Sequence, residues 1–455
     1  MAIFRVIMNT SEKRATFSLA SIFAVRMLGL FMILPVFSLY ATHLSAATPM
    51  LIGIALGIYG LTQAIFQLPF GMISDRLGRK PLIAFGLIIF AAGSIIAASS
   101  SSIYGVIFGR ALQGAGAVGS TIIALIADLT REEERTKAMA FIGTSVGITF
   151  AVSMVLGPVL SAYMNVSGIF WLMFALAIVG LFILKFWVPT PKHCGLHRDA
   201  EPVIGLIATV LKDRELLRLD FGILALHALL TANFVVIPII LTKTAGLNES
   251  SQWLLYLPVL LLAFISMIPM IILAEKKRQL RPFFLVSVGL LFVSETILLF
   301  AGNHLLLIGF SLYVFFTAFS FLEASLPSLI SKQAPAGAKG TAMGIYSSSQ
   351  FFGIFLGGSF AGLLLQDHLP HSIFLLCALI TLVWFFIAAR MKNPRYLTTQ
   401  LFNVGKISSE QAEQLSNKLL KIPGVAEAVI IVQEGVAYLK VDRKIINMDE
   451  LKGIF

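Results

Sequence analysis

Ionisable and amide side chains inside apolar runs are where this chain could do chemistry. Arg26, Arg110, Glu295 and Glu323 each stand within such a run, and each run has the roughly 20 residues that a helix needs to cross a bilayer. Charge at that depth is expensive and normally faces a cavity or a partner. A carboxyl group held away from water can load and release a proton near neutral pH. Glu323 in the tenth run is therefore the preferred proton carrier, with Glu295 in reserve. Arg110 opens the segment Arg110-Ala111-Leu112-Gln113-Gly114-Ala115-Gly116. Its guanidinium keeps its proton, so its work is electrostatic: it acts on a nearby carboxylate, holds an anionic substrate, or is fixed by backbone carbonyls. Arg26 either faces a cavity or snorkels to the interface. Gln63 and Gln67, four apart on one helical face, either line a cavity or bond neighbouring helices. Gln113, Asn233 and Gln350 are further candidates to line the same cavity.

These side chains need a scaffold of membrane helices, and composition supplies one. Hydrophobic residues make up 58% of the 455 and charged residues 13%, with a mean hydropathy of +0.90, outside the range of soluble globular domains. The surplus of 34 Lys+Arg over 23 Asp+Glu does not point to nucleic acid, because the cations gather in alternate connections. They occur in the amino terminus and near Arg76, Arg131, Lys192, Lys277, Lys332 and Arg390. The connections near Thr48, Ser100, Val166, Asn303 and Asp367 have none, and the one near Ala245 has only Lys243. That alternation places both termini in the cytoplasm. The first apolar run, residues 17–41, is too long for a signal peptide. Cys194 and Cys377 give no disulfide framework. His193 and His197 lack a third ligand at fixed spacing. No metal, no cofactor and no enzyme activity are expected.

The stretch Gly71-Met72-Ile73-Ser74-Asp75-Arg76-Leu77-Gly78-Arg79-Lys80 lies between apolar runs 49–73 and 81–99. It must be a very short loop at one membrane face. Its Gly71, Asp75, Gly78 spacing and its cations resemble the signature loop between the second and third helices of the major facilitator superfamily. Leu28-Gly29 with Pro35-Val36, the Arg110 segment, and Ser153 through Gly157-Pro158 are similar to motifs of the drug:proton antiporter branch with twelve spans. Ser153 and Ser161-Ala162 depart from that branch's glycines. In the second half, residues 274–282 occupy the place of the signature loop without its glycines or aspartate, and Gly353, Gly357-Gly358 and Gly362 echo the fifth run.

The resemblance implies an all-α membrane protein with twelve transmembrane helices in two six-helix halves, residues 1–188 and 219–390, joined by a cytoplasmic linker, 189–218. It implies a multi-pass monomer in a bacterial inner membrane that exports small amphiphilic compounds against protons by alternating access, driven by the proton gradient. Proton-coupled uptake and a non-transporting membrane sensor are the alternatives. Arg76 or Arg79 would pair with Asp128, and Asp75 would meet the start of the eleventh helix at Gly340-Thr341, where the helix dipole favours an anion. Pro35, Gly157, Pro158 and Gly357 would bend or pack helices. Residues 204–219 read as an amphipathic segment along the interface.

From residue 393 the chain turns polar. A strand at 397–404, a helix capped by Ser408 and Gln411, a hairpin about Glu434-Gly435 and a last helix from Asn447 give the order βαββα. This is a small α+β ferredoxin-like module lacking its last strand. It resembles heavy-metal-associated domains, but the loop at 405–409 has no cysteine pair, so a regulatory or stabilising role fits better than metal binding.

Overall fold

A computed structural model describes residues 8–191, 200–367, 370–394, 396–405, 407–432, 434–442, 445–447, 451 and 453. Among the described residues, eleven helical stretches are long and apolar enough to cross a membrane. One of them, residues 137–186, is too long for one crossing. It breaks at Asn165, whose φ is 57°, and so counts twice, giving twelve crossings.

Breaks inside the crossings follow from local sequence. The first consists of α1 (Thr10–Phe31) and α2 (Leu34–Tyr40). Pro35 has no N–H for the Phe31 carbonyl four residues back, and its ring crowds that carbonyl, so the helix parts there. The second and third crossings are α3 (Pro49–Leu77) and α4 (Arg79–Ser99). The ten-residue polar stretch is therefore not a loop. It is helical except at Gly78, whose φ of +90° turns the chain in a single residue, a conformation that costs glycine little. The fourth crossing is α5 (Ile103–Ala115) plus α6 (Gly119–Leu129), and α7 (Glu132–Phe186) makes the fifth and sixth.

The described part of the linker ends in α8 (Ile204–Lys212). Here the expected amphipathic segment is shorter than 204–219. Asp213 leaves the helix and caps the next one, accepting from the N–H groups of Glu215 and Leu216, so Leu219 already belongs to the seventh crossing, α9 (Arg214–Lys243). Then follow α10 (Trp253–Lys276), α11 (Leu280–Ala301), α12 (Leu305–Gln333), α13 (Lys339–Gln366) and α14 (Pro370–Ala389). His193, Cys194 and His197 lie outside the described residues.

The glycines of α13 let three helices touch backbone to backbone. A Cβ on Gly53 of α3 would stand 2.1 Å from the Gly358 carbonyl oxygen, and one on Gly357 would stand 2.1 Å from that of Ala228 in α9. The crossing centre of the whole bundle is thus α3–α13–α9, which joins the two halves. Gly157 packs on the Met32 carbonyl and Pro35. Gly143 and Gly147 meet nothing within 4 Å, so the small-residue packing expected of the fifth helix is confined to its second part.

Beyond the bundle, β1 (Thr398–Asn403), α15 (Ser409–Leu419), β2 (Val425–Ile431) and β3 (Val436–Val441) form an antiparallel sheet in the order β1-β3-β2 with one helix. Ser408 and Gln411 make the expected reciprocal cap. Leu419, Leu439, Val441 and Leu451 form the module's own core. The last helix expected from Asn447 falls largely outside the described residues.

Candidate functional site

At the end of the bundle that carries the linker, here the linker face, Arg79 is the centre. It opens α4 directly after Gly78, so the turn fixes its position. Its Nε donates to Asp128 Oδ2 at 3.1 Å, and its other nitrogens pair with Asp75, Ser74 and Glu201. The side chains of Arg79, Asp128 and Glu201 are at most 1% exposed, whereas that of Asp75 is 34% exposed. Arg79 rather than Arg76 is therefore the partner of Asp128, and Arg76 points outward. Asp75 does not occupy the start of α13. The linker does: the Glu201 backbone lies where a Gly340 Cβ would be, at 2.3 Å, and Thr341 Oγ1 accepts from the Val203 N–H at 2.9 Å. Gly71 packs on Ser120 and Pro202. Burial pushes the Glu201 carboxyl up to about 8, against the pull of Arg79 and with the help of the neighbouring Asp75. One guanidinium thus faces three carboxyl groups, and a proton on Glu201 relieves the excess. Sequence reading missed Glu201 because nothing local marks a linker glutamate for burial.

Deeper in the first half, the two arginines share Tyr59. Arg26 donates to the Tyr59 hydroxyl at 3.1 Å and to Gln63 Oε1 at 2.9 Å, and Gln63 passes the chain on to Gln67 at 3.1 Å. Arg110 lies 5.1 Å over the Tyr59 ring and donates to the carbonyls of Ala55 and Leu56 and to Gln113 Oε1. Both arginines are buried, so Arg26 does not snorkel. Among the described residues no carboxylate bonds either of them. Of the readings open in the sequence, fixing by backbone carbonyls is what Arg110 displays. Gln63 and Gln113 are spent on bonds between helices, with Arg26 and Ser94, and Gln67 accepts from Gln63 within α3.

The second half holds the acids. Glu323 Oε1 accepts from Gln350 Nε2 at 3.3 Å, and the same nitrogen lies 2.9 Å from His227 Nε2. His227 Nδ1 faces the Ile223 carbonyl at 3.3 Å. That contact places the proton on Nδ1 and leaves Nε2 as an acceptor, 3.8 Å from Glu323 Oε2. The Glu323 side chain is about a third exposed, one turn after Phe319, but its Oε2 is buried without a hydrogen-bond partner, whereas Glu295 is sealed and accepts from Asn233 at 2.7 Å. The sequence reading counted two carboxyl groups in these helices. A third, Asp220, sits in α9 two turns before His227, buried near Tyr346. Neither Asp220 nor His227 is among the residues the sequence reading singles out. The signal, ionisable groups seven apart in an apolar helix, was available.

Between the halves stands an aromatic seal: Phe150 packs on Phe31 at 4.9 Å and on Phe319 at 5.4 Å, and Phe319 lies 5.7 Å from the His227 ring. On the face opposite the linker, a cavity of about 370 Å³ opens between Tyr40, His43, Pro158, Asn165, Glu249 and Gln252.

Two six-helix halves about buried charges, closed at one end by Arg79, match a known pattern. The family description Major Facilitator Superfamily fits residues 19–357 and 219–421. This chain belongs to that superfamily. A second description, YajR YAM domain, fits residues 407–454. The Inner membrane transport protein YajR of Escherichia coli (strain K12) is 46% identical over 446 residues, 98% of each chain. Over a third of this chain, the class B tetracycline resistance protein of Escherichia coli is 30% identical, covering 37% of that protein. Among solved structures, the fold is shared with a bacterial homologue of the lysosomal transporter Spinster (TM-score 0.70, 14% identity, 85% of this chain and 98% of that one). It is also shared with a D-xylose–proton symporter (TM-score 0.65, 13% identity, 83% and 97%). The superfamily member described here is a multi-pass membrane transporter and not an enzyme.

Proposed function

We propose that the chain is a proton-coupled exporter of small amphiphilic compounds that works by alternating access in a bacterial inner membrane, as a monomer driven by the proton gradient. The linker face is cytoplasmic, as the alternate placement of cations favours. The observation that carries this reading is the Glu323–Gln350–His227 cluster. It provides a carboxyl whose Oε2 is committed to no hydrogen bond, with a neutral imidazole 3.8 Å away to receive or return a proton. Export is favoured over uptake by the likeness to the tetracycline resistance protein.

Purified protein in vesicles with an imposed pH gradient tests this reading. Amphiphilic compounds should drive proton movement opposite to their own. Proton movement in the same direction as the compound would replace export by uptake.

Closure of the linker face should depend on pH through Glu201. In an opened state this carboxyl meets water and titrates near the ordinary 4.5, whereas burial holds it near 8 when closed. The closed form therefore binds the proton more tightly. Closure weakens as pH rises between those two values and is flat above about 8. A closed fraction measured by spin-label distances should fall across that window, and Glu201→Gln should flatten the curve. A wild-type closed fraction independent of pH would remove Glu201 from the gate.

A further inference from the structure

The first half closes its linker face with Arg79 at the α3–α4 turn and Asp128 near the end of α6. The matching places in the second half are the α10–α11 turn and the end of α12. There the same kind of pair recurs with its signs exchanged: Glu275 near the end of α10 takes the Lys332 ammonium, from the last turn of α12, at 2.8 Å. The carboxy-terminal module builds directly onto this pair. The Tyr396 ring lies between two cations, 5.2 Å from the Arg278 guanidinium and 5.0 Å from the Lys332 ammonium, and its hydroxyl accepts from the Leu280 N–H at 3.0 Å. Asp442 takes Arg278 with both oxygens, at 2.9 and 3.2 Å, the paired geometry that makes Arg–carboxylate contacts the strong ones. Lys440, itself buried, donates to the Lys332 carbonyl at 2.7 Å.

One more contact carries the module's hold to the start of α13, which holds the linker. Glu427 accepts from the Ala336 N–H at 2.9 Å, two residues before the cap of α13. The first turn of α13 holds the linker through Gly340 and Thr341, and the linker's Glu201 holds Arg79. A continuous series of contacts thus runs from the module, through the start of α13 and the linker, to the first-half latch.

We propose that the carboxy-terminal module is a working part of the gate, completing a charge-reversed second latch and holding the start of α13 against the linker, so that undocking it weakens closure of the linker face. The proposal rests on the alternating-access reading above. It gives the module a mechanical task within the transporter and explains why the second half can lack the glycines and aspartate of the first-half stretch.

The test uses the full chain in lipid nanodiscs, with Cys194 and Cys377 replaced. One nitroxide pair at Leu77 and Gln333 reports opening of the linker face, and a second pair between α15 and α12 reports docking. Asp442→Arg should undock the module and raise the open fraction roughly fivefold or more, the usual range of a conformational coupling. Arg278→Asp combined with Asp442→Arg should restore both readings, which a merely misfolded module would not do. A combined Glu427→Ala, Lys440→Ala, Asp442→Ala variant is the second check. An undocked module with a wild-type open fraction overturns the proposal, and so does a module that stays docked without these three side chains. A wild-type protein with one distance under every pH and compound would instead fail the alternating-access reading itself.

Discussion

Glu323→Gln is expected to bring compound-driven proton movement down to the leak of protein-free vesicles, while exchange of compound across the membrane without a gradient continues. Glutamine keeps the shape of the side chain and the acceptor that Gln350 bonds at 3.3 Å. Its amide can still face the His227 nitrogen 3.8 Å from the present carboxyl, but it cannot carry a proton. What is lost is the drive. Each pH unit across the membrane supplies about 1.4 kcal/mol per proton carried, and each 100 mV of potential about 2.3 kcal/mol per charge. Without a carrier neither reaches the compound. Glu295→Gln is the matched comparison, because Glu295 is sealed and bonded to Asn233. It should leave the flux standing. If Glu295→Gln silences the flux and Glu323→Gln does not, the carrier has been assigned to the wrong helix. Asp220→Asn completes the set, since that carboxyl lies on the same helix as His227.

The second large effect concerns Arg79→Ala. The guanidinium is shared by Asp75, Asp128 and Glu201, and the last two are buried. Removing one partner of a buried pair typically costs about 3–5 kcal/mol because it strands the other charge. Proton uptake by the stranded carboxyls offsets part of this at low pH. Even about 3 kcal/mol shifts the closed-to-open ratio roughly a hundredfold. The linker-face label pair should therefore report a mostly open protein at neutral pH, with closure partly regained in acid. Arg79→Lys should fall between the two, because one ammonium cannot reproduce the several directed bonds of a guanidinium. A closed fraction unchanged by Arg79→Ala would show that the linker and α13 hold the face shut without the charge cluster.

Both effects concern residues that were visible in the sequence; of their partners Asp128 was expected, whereas Glu201 and His227 were not. The crossings, the buried charges and the reciprocal cap of Ser408 and Gln411 could be read directly, because each is decided by neighbours in the chain. A run of apolar residues crosses a bilayer whatever lies beside it, and a capping box closes over three residues. The asymmetry of cations was equally plain, since it is a property of the chain alone.

Tertiary structure decided what those groups meet. Arg110 offered three readings, and only the approach of α3 gave it the carbonyls of Ala55 and Leu56. Asp75 was expected at the start of α13, but the linker had taken that place with Glu201 and Val203, residues with no local mark of burial. His227 came to Glu323 through Gln350, across the three helices α9, α12 and α13. Glu275 and Lys332 stand in two separate connections of the sequence, and the folded chain sets them together beside Arg278, Tyr396 and Asp442. The physical reason is common to all four cases. The cost of burying a charge is local and leaves its trace in composition, whereas the partner that offsets it is chosen by whichever distant segment the packing brings within about 3 Å.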